Sequence, residues 1–104
     1  MERAVAWSAS ARHDLAQIVR FIAEIDPPPA ASRLADRIDQ TAAGLGTFST
    51  GRPGRVTGTF EKPVVGLPYS ITYALDDRDD RRAVVILHVI HGARDWPTGE
   101  WPRN

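Results

Sequence analysis

Two histidines three positions apart, His88 and His91, close an apolar segment, and Arg94 follows them. Metal ligation, proton transfer and charge stabilisation are therefore the first chemistries to weigh. On a strand, residues three apart point to opposite faces, so the two imidazoles cannot hold one ion there. No H-E-x-x-H motif or carboxylate cluster accompanies them. The chain contains no cysteine, which excludes thiolate zinc sites, disulfides and cysteine nucleophiles. Solvated or hydrogen-bonded histidines are the expectation, with no metal and no cofactor.

Two other clusters invite a ligand. Asp76, Asp77, Asp79 and Asp80 resemble a calcium loop only in charge. The loop of an EF-hand needs a central glycine and a closing glutamate, both missing here. Arg78, Arg81 and Arg82 offset most of the acidic charge, so the segment reads as a solvated hairpin tip. Gly51, Gly54 and Gly58 are not followed by the Gly-Lys-Ser/Thr of a phosphate loop. Arg52 and Arg55 beside them read as solvated, with nucleic-acid or partner contact as the alternative.

The elements that must carry these residues follow from periodicity. Residues 3–7 read as a short strand with Val5 and Trp7 on one face. Ser8 is a candidate N-cap for a helix over about 9–25, whose stripe is Leu15, Ile18, Val19, Ile22 and Ile25. Asp26 and the prolines at 27–29 break the chain and suit the first turn of a second helix. That helix carries Leu34, Ile38, Thr41/Ala42 and Leu45 and ends at about residue 44 or 45. Gly46 to Gly58 reads as a loop. Thr59 to Val65 reads as a strand whose Pro63 calls for an edge position or a bulge. Tyr69, Ile71, Tyr73 and Leu75 alternate with smaller residues as in a half-buried strand. Ala83 to Ile90 is apolar almost throughout, as in a strand covered on both faces. Helical packing uses one sheet face, so the Trp-containing tail, a second copy or another protein must cover the second. The expected core is Leu15, Ile18, Ile22, Leu34, Ile38, Ile71, Tyr73, Ile86 and Leu87.

The expected class is α+β: an N-terminal strand, an antiparallel helical hairpin, then three mainly antiparallel strands, with the helices on one sheet face. The length of 104 residues fits a single domain, with 97–104 as an irregular tail. Thirteen basic residues balance thirteen acidic ones, which argues against a surface built to coat phosphates. The longest apolar run, Ala83 to Leu87, is too short to span a bilayer, and residues 1–5 show no signal-peptide pattern. A cytoplasmic protein is the expectation.

The element order, together with particular residues, resembles the RelE/ParE toxin superfamily. The carriers are Trp7-Ser8, Asp14-Leu15 and Ile18, then Ala31, Leu34 and Ile38, then Gly51-Arg52-Pro53. More specific are Pro68-Tyr69-Ser70-Ile71-Thr72-Tyr73 and the closing run from Ile86 to Trp96, with its His91-Gly92-Ala93-Arg94-Asp95. The resemblance covers residues 5–96 and implies a toxin of a type II toxin–antitoxin system. Its implied partner is a cognate antitoxin whose flexible C-terminal segment wraps the toxin in a hetero-oligomer.

Members of this superfamily differ in target. RelE-like chains cut messenger RNA on the ribosome, and ParE-like chains inhibit DNA gyrase. RNA cleavage through the 2′-hydroxyl needs a proton acceptor, cations for the phosphorane and a proton donor. The resemblance implies an arginine just after the first tyrosine of the third strand in ribonuclease members; Ser70 stands there. The remaining ribonuclease candidates are His91, Arg94 and Lys62. The preferred expectation is a ParE-like gyrase inhibitor without a catalytic set, and a non-toxic antitoxin-binding remnant is the third reading. Partner contacts are expected at Val84, Ile86, His88 and Ile90 on one strand face, with Arg94 and Trp96. Arg94 and Asp95 are equally suited to fixing the turn after the last strand. Trp96 is expected to fold back over the sheet, and Trp101 is a candidate partner anchor.

Overall fold

The computed structural model describes residues 2–78 and 82–91. They form β1 (Ala4–Trp7), α1 (Ala9–Ile25), α2 (Pro28–Gly44), β2 (Arg52–Pro53), β3 (Phe60–Pro63), β4 (Tyr69–Asp76) and β5 (Ala83–His91). The strands make one sheet in the order β1-β5-β4-β3-β2. β1 runs parallel to β5, and the other neighbours are antiparallel. The expected α+β order is present, with one addition. β2 pairs only Arg52 with Glu61 and Pro53 with Phe60, a span too short to show alternation in sequence. Pro63 falls at the end of β3, beyond the reach of β2, where its missing N–H costs no ladder bond.

Ser8 caps α1 as its position predicts. Its hydroxyl accepts the Ala11 N–H at 3.1 Å and donates to the Leu87 carbonyl at 3.1 Å, while its own N–H reaches the Ile86 carbonyl at 2.9 Å. One residue thus ends β1, starts α1 and ties both to β5. Pro28 opens α2 at a position whose N–H would lack a helical partner in any case. Gly66, at φ +80° in the turn before β4, holds a conformation that suits glycine. Gly51, at φ +134°, lets the backbone pass β3: a Cβ there would lie 2.5 Å from the Glu61 carbonyl oxygen.

The core lies between the helices and one sheet face. It joins Ala11, Leu34, Ile38, Ala42 and Leu45 to Val64, Tyr69, Ile71, Tyr73, Val84, Ile86 and Val89. Leu34, Ile38, Ile71, Tyr73 and Ile86 are buried as expected. Leu15, Ile18 and Ile22 pack against this core but are half-buried, as is Leu87. The cause for α1 is its position on β5 and α2, toward the edge of the sheet, where one flank of its apolar stripe stays open. Ile25 and Leu75, expected to be covered, are exposed at 60% and 37%.

β5 departs from strict alternation. Tyr73 pairs with Ile86 while Thr72 pairs with His88, so Leu87 is an extra residue, a β-bulge. The buried set accordingly steps from Val84 and Ile86 to Val89. Its other side, Val85 and Ile90, is half-buried rather than fully covered. Arg3, just before β1, pairs with Asp77 beyond β4, and its hydrogen bond holds the Asp77 carboxyl below the usual carboxylate range. Among the described residues no helix is long and apolar enough to cross a membrane.

Truncating the fully buried Ile38 to Ala is expected to cost about 2–5 kcal/mol of unfolding free energy, and Ile18→Ala distinctly less. Urea unfolding of the two variants checks this; an equal loss at Ile18 would contradict the open flank of α1.

Candidate functional site

β5 outruns β1. Pairing between them stops at Trp7 opposite Ile86, so the outer edge of β5 from Leu87 onward has no strand beside it. Two side chains from the start of α1 occupy that edge. Ser8 takes the Leu87 carbonyl, and Asp14 Oδ2 accepts the Val89 N–H at 3.0 Å. The same Asp14 oxygen lies 3.0 Å from His88 Nδ1, with both side chains largely shielded. An uncovered strand edge invites pairing with another chain, and these contacts close part of it.

Around Asp14 the surface is concave. One cavity of about 320 Å³ is lined by Asp14, Gln17, Ile18 and Phe21 of α1, Tyr69 of β4, and Val89 and His91 of β5. A second, of about 360 Å³, is lined by Ala9, Ser10, His13, Asp14 and His88. His91 stands at its strand's end, exposed, with its ring edge-on to Tyr69 at a centroid separation of 5.3 Å. Burial pushes the Tyr69 phenol up from its ordinary value, so it stays protonated at neutral pH. Beside this cavity, Phe21 and Ile25 expose 58% and 60% of their surface, a helical pair four residues apart.

Of the candidate ribonuclease residues, the two described ones, Lys62 and His91, are not brought together. Lys62 lies on β3, paired with Ile71, which in turn pairs with Val89. Two strand spacings separate β3 from β5, about 10 Å between backbones. The Lys62 ammonium is instead bound to Thr50 Oγ1 at 2.9 Å, on the side of β2. Thr50 also receives the Tyr73 hydroxyl on its carbonyl at 2.6 Å, and Tyr73 stacks on Phe60. Arg94 and Trp96 lie outside the described residues.

Of the four strand residues expected to meet a partner, Val84 and Ile86 are wholly internal, packed under the helices. His88 and Ile90 are half-buried and, although an even number of residues away, fall on the opposite face from them because of the bulge at Leu87. Residues 88 and 91 keep the odd spacing that separates their side chains. Among the described residues no group of three or more metal-ligating side chains converges. The sequence reading missed Phe21 as a surface residue and Asp14 as the partner of β5. Phe21 carried a local signal, since it falls outside the stripe of Leu15, Ile18 and Ile22; the contact from Asp14 to Val89 spans too much sequence to carry one.

Comparison with known proteins bears on the whole of this arrangement. Residues 5–96 match the family of the ParE toxin of the type II toxin–antitoxin system parDE. The chain belongs to the ParE toxin family. Y4kP, a predicted toxin of Sinorhizobium fredii, is 35% identical over 94 residues, which is 89% of this chain and 92% of that protein. The chromosomal ParDE toxin–antitoxin system of P. aeruginosa contains a chain of the same fold, with a TM-score of 0.78 at 19% identity, covering 86% of this chain and 96% of that one. A chain in the toxin–antitoxin complex RelBE2 of Mycobacterium tuberculosis aligns with a TM-score of 0.63 at 28% identity, over 90% of this chain and 95% of that one. The ParE family is thus the branch of the superfamily to which the chain's own sequence leads.

Two measurements test the site's chemistry. Asp14→Ala should cost about 1–3 kcal/mol, the range for losing hydrogen bonds to a carboxylate, and should speed amide hydrogen exchange at Val89. Unchanged exchange at Val89 would show that the carboxylate does not guard that N–H. The chain has two tyrosines, Tyr69 and Tyr73, and burial raises both phenols above the ordinary 10.0. A raised acid pKa in the folded state stabilises the fold below the unfolded value and loses that stabilisation as pH rises through the folded one. Native protein at pH near 10 should therefore show clearly less phenolate absorbance than urea-unfolded protein at the same pH.

Proposed function

We propose that this ParE-family toxin acts by binding rather than by hydrolysis, with DNA gyrase as its target, and that an antitoxin encoded beside it holds it inactive. The observation that carries the choice is the separation of Lys62 from His91. A ribonuclease needs its cation and its proton carrier on one phosphate, within hydrogen-bond reach. Here the Lys62 ammonium is engaged by Thr50, and His91 faces Tyr69 two strands away. Ser70 stands where ribonuclease members carry a cation. The match to the ParE family supports the same choice.

The antitoxin partner is supported by the relatives, whose structures are named as a ParDE system and a RelBE2 toxin–antitoxin complex. It is supported as well by surface: Phe21 and Ile25 leave an apolar strip along α1 for a segment that folds as it binds. Saturating antitoxin is expected to raise the melting temperature, since a ligand of the native state stabilises it by mass action. An unchanged melting temperature would remove the antitoxin from this surface.

Controlled expression without antitoxin separates the targets. The unmutated chain and His91→Ala should both arrest growth and both leave gyrase-linked DNA breaks. Loss of a general acid would slow RNA cleavage about 10²–10⁴-fold. Arrest that vanishes in His91→Ala while antitoxin binding persists, with ribosomal mRNA cut by the unmutated chain, would establish the ribonuclease of His91, Arg94 and Lys62 instead. No arrest from either chain would leave an antitoxin-binding protein without toxicity.

A further inference from the structure

We infer that the segment after β5 docks on the sheet face turned away from the helices, where Glu61 and Thr72 receive the guanidinium of Arg94. This docking takes place within the toxin and needs neither the antitoxin nor the target.

Strand register fixes which residues share that face. Arg52 of β2 stands opposite Glu61 of β3, Glu61 opposite Thr72 of β4, and Thr72 opposite His88 of β5. Residues directly opposite across paired strands point the same way, so these four make one polar row across the sheet. Ile71, Tyr73, Ile86 and Val89 beside them point to the helices and the core. The middle of the row is nonetheless closed to water: Glu61 is 7% exposed and Thr72 3%. Glu61 Oε2 and Thr72 Oγ1 are buried and make no hydrogen bond with the described residues. Glu61 Oε1 meets Arg52 Nη2 only at 3.5 Å, the limit of bonding range, and that arginine side chain is 72% exposed. A carboxylate so placed is costly unless a further cation or donor reaches it.

Chemistry and reach select Arg94, which lies outside the described residues. A guanidinium carries five N–H donors in a planar fork, so one group can serve both the carboxylate and the hydroxyl. Lys62, next in sequence to Glu61, points to the other face and is bound to Thr50. His88 ends the row already held by Asp14. β5 ends at His91 opposite Tyr69, three residues along β4 from Thr72, a distance of about 10 Å. Arg94 stands three residues beyond His91, and Gly92 between them tolerates the dihedrals of a sharp reversal. A chain that turns back there brings Arg94 level with Thr72 and leaves its long side chain to cross to Glu61. Trp96, two residues further, then falls over Ala74 and Val85, the next opposed pair on that face, both half-buried. The segment thus supplies a cation to the buried carboxylate and an aromatic cover to the apolar pair beside it.

Urea unfolding of the full chain is compared for Arg94→Ala, Glu61→Gln and the two changes combined. Each single change should lower the midpoint. Arg94→Ala should lower it distinctly less in the Glu61→Gln background, because two partners in one contact are not additive. Equal lowering in both backgrounds would overturn the pairing. NMR of the unmutated chain provides a test that needs no variant to fold. The Arg94 Nε proton should exchange at least about 10-fold more slowly than that of Arg20, which is exposed on α1. The Trp96 ring should show nuclear Overhauser contacts to the Ala74 methyl group. Exchange at Arg94 as fast as at Arg20 would overturn the inference, as would a crystal structure in which water alone meets Glu61 Oε2.

Discussion

The outer edge of β5 beyond Ile86 is the constraint on which the rest of this structure turns. β5 lends Val84, Ile86 and Val89 to the core, yet β1 covers only its first half. A row of backbone N–H and C=O groups cannot be left open beside a hydrophobic core without cost. The chain answers with side chains from the segment that follows β1. Ser8 takes the Leu87 carbonyl and starts α1 in the same contact; two turns later Asp14 takes the Val89 N–H. The register of the parallel β1–β5 pair therefore sets where α1 begins, how it lies on the sheet, and which of its residues face the end of β5.

That placement generates the apolar surface of α1. Because α1 is pinned near the end of β5, its apolar stripe meets the core on one flank only. Phe21 and Ile25 emerge on the other, beside the cavity of Asp14, Tyr69 and His91. The bulge at Leu87 works in the same direction. It keeps Val84, Ile86 and Val89 under the helices and turns His88 to the edge, where its imidazole reaches Asp14. Histidines that looked like chemistry in the sequence thus serve as edge contacts and ring packing.

The two faces of the helical hairpin differ in character. The α1 side is apolar around a single carboxylate, whereas the α2 side sets two arginines over a leucine floor. A single partner that met both faces would have to present different chemistry to each, and a mispaired charge would cost more than a missing apolar contact.

Local chemistry was legible in the linear chain. The cap at Ser8, the proline break at 27–29 and the stripe of Leu34 and Ile38 each act within a few residues, so the helices fell within a residue or so of their expected bounds. The residues from Tyr69 to Tyr73 and from Ile86 onward carried the family. Other features had no local signature. β2 is too brief to alternate, and the bulge at Leu87 is a mismatch between two strands that neither strand shows alone. That mismatch splits the even-numbered residues of β5, leaving Val84 and Ile86 in the core and turning His88 and Ile90 to the other face. The distance from Lys62 to His91 depended on strand order, because β4 intervenes between β3 and β5. Contacts such as Asp14 to Val89 join residues far apart in sequence, and only packing of the helix against the strand edge brings their polar groups within bonding distance.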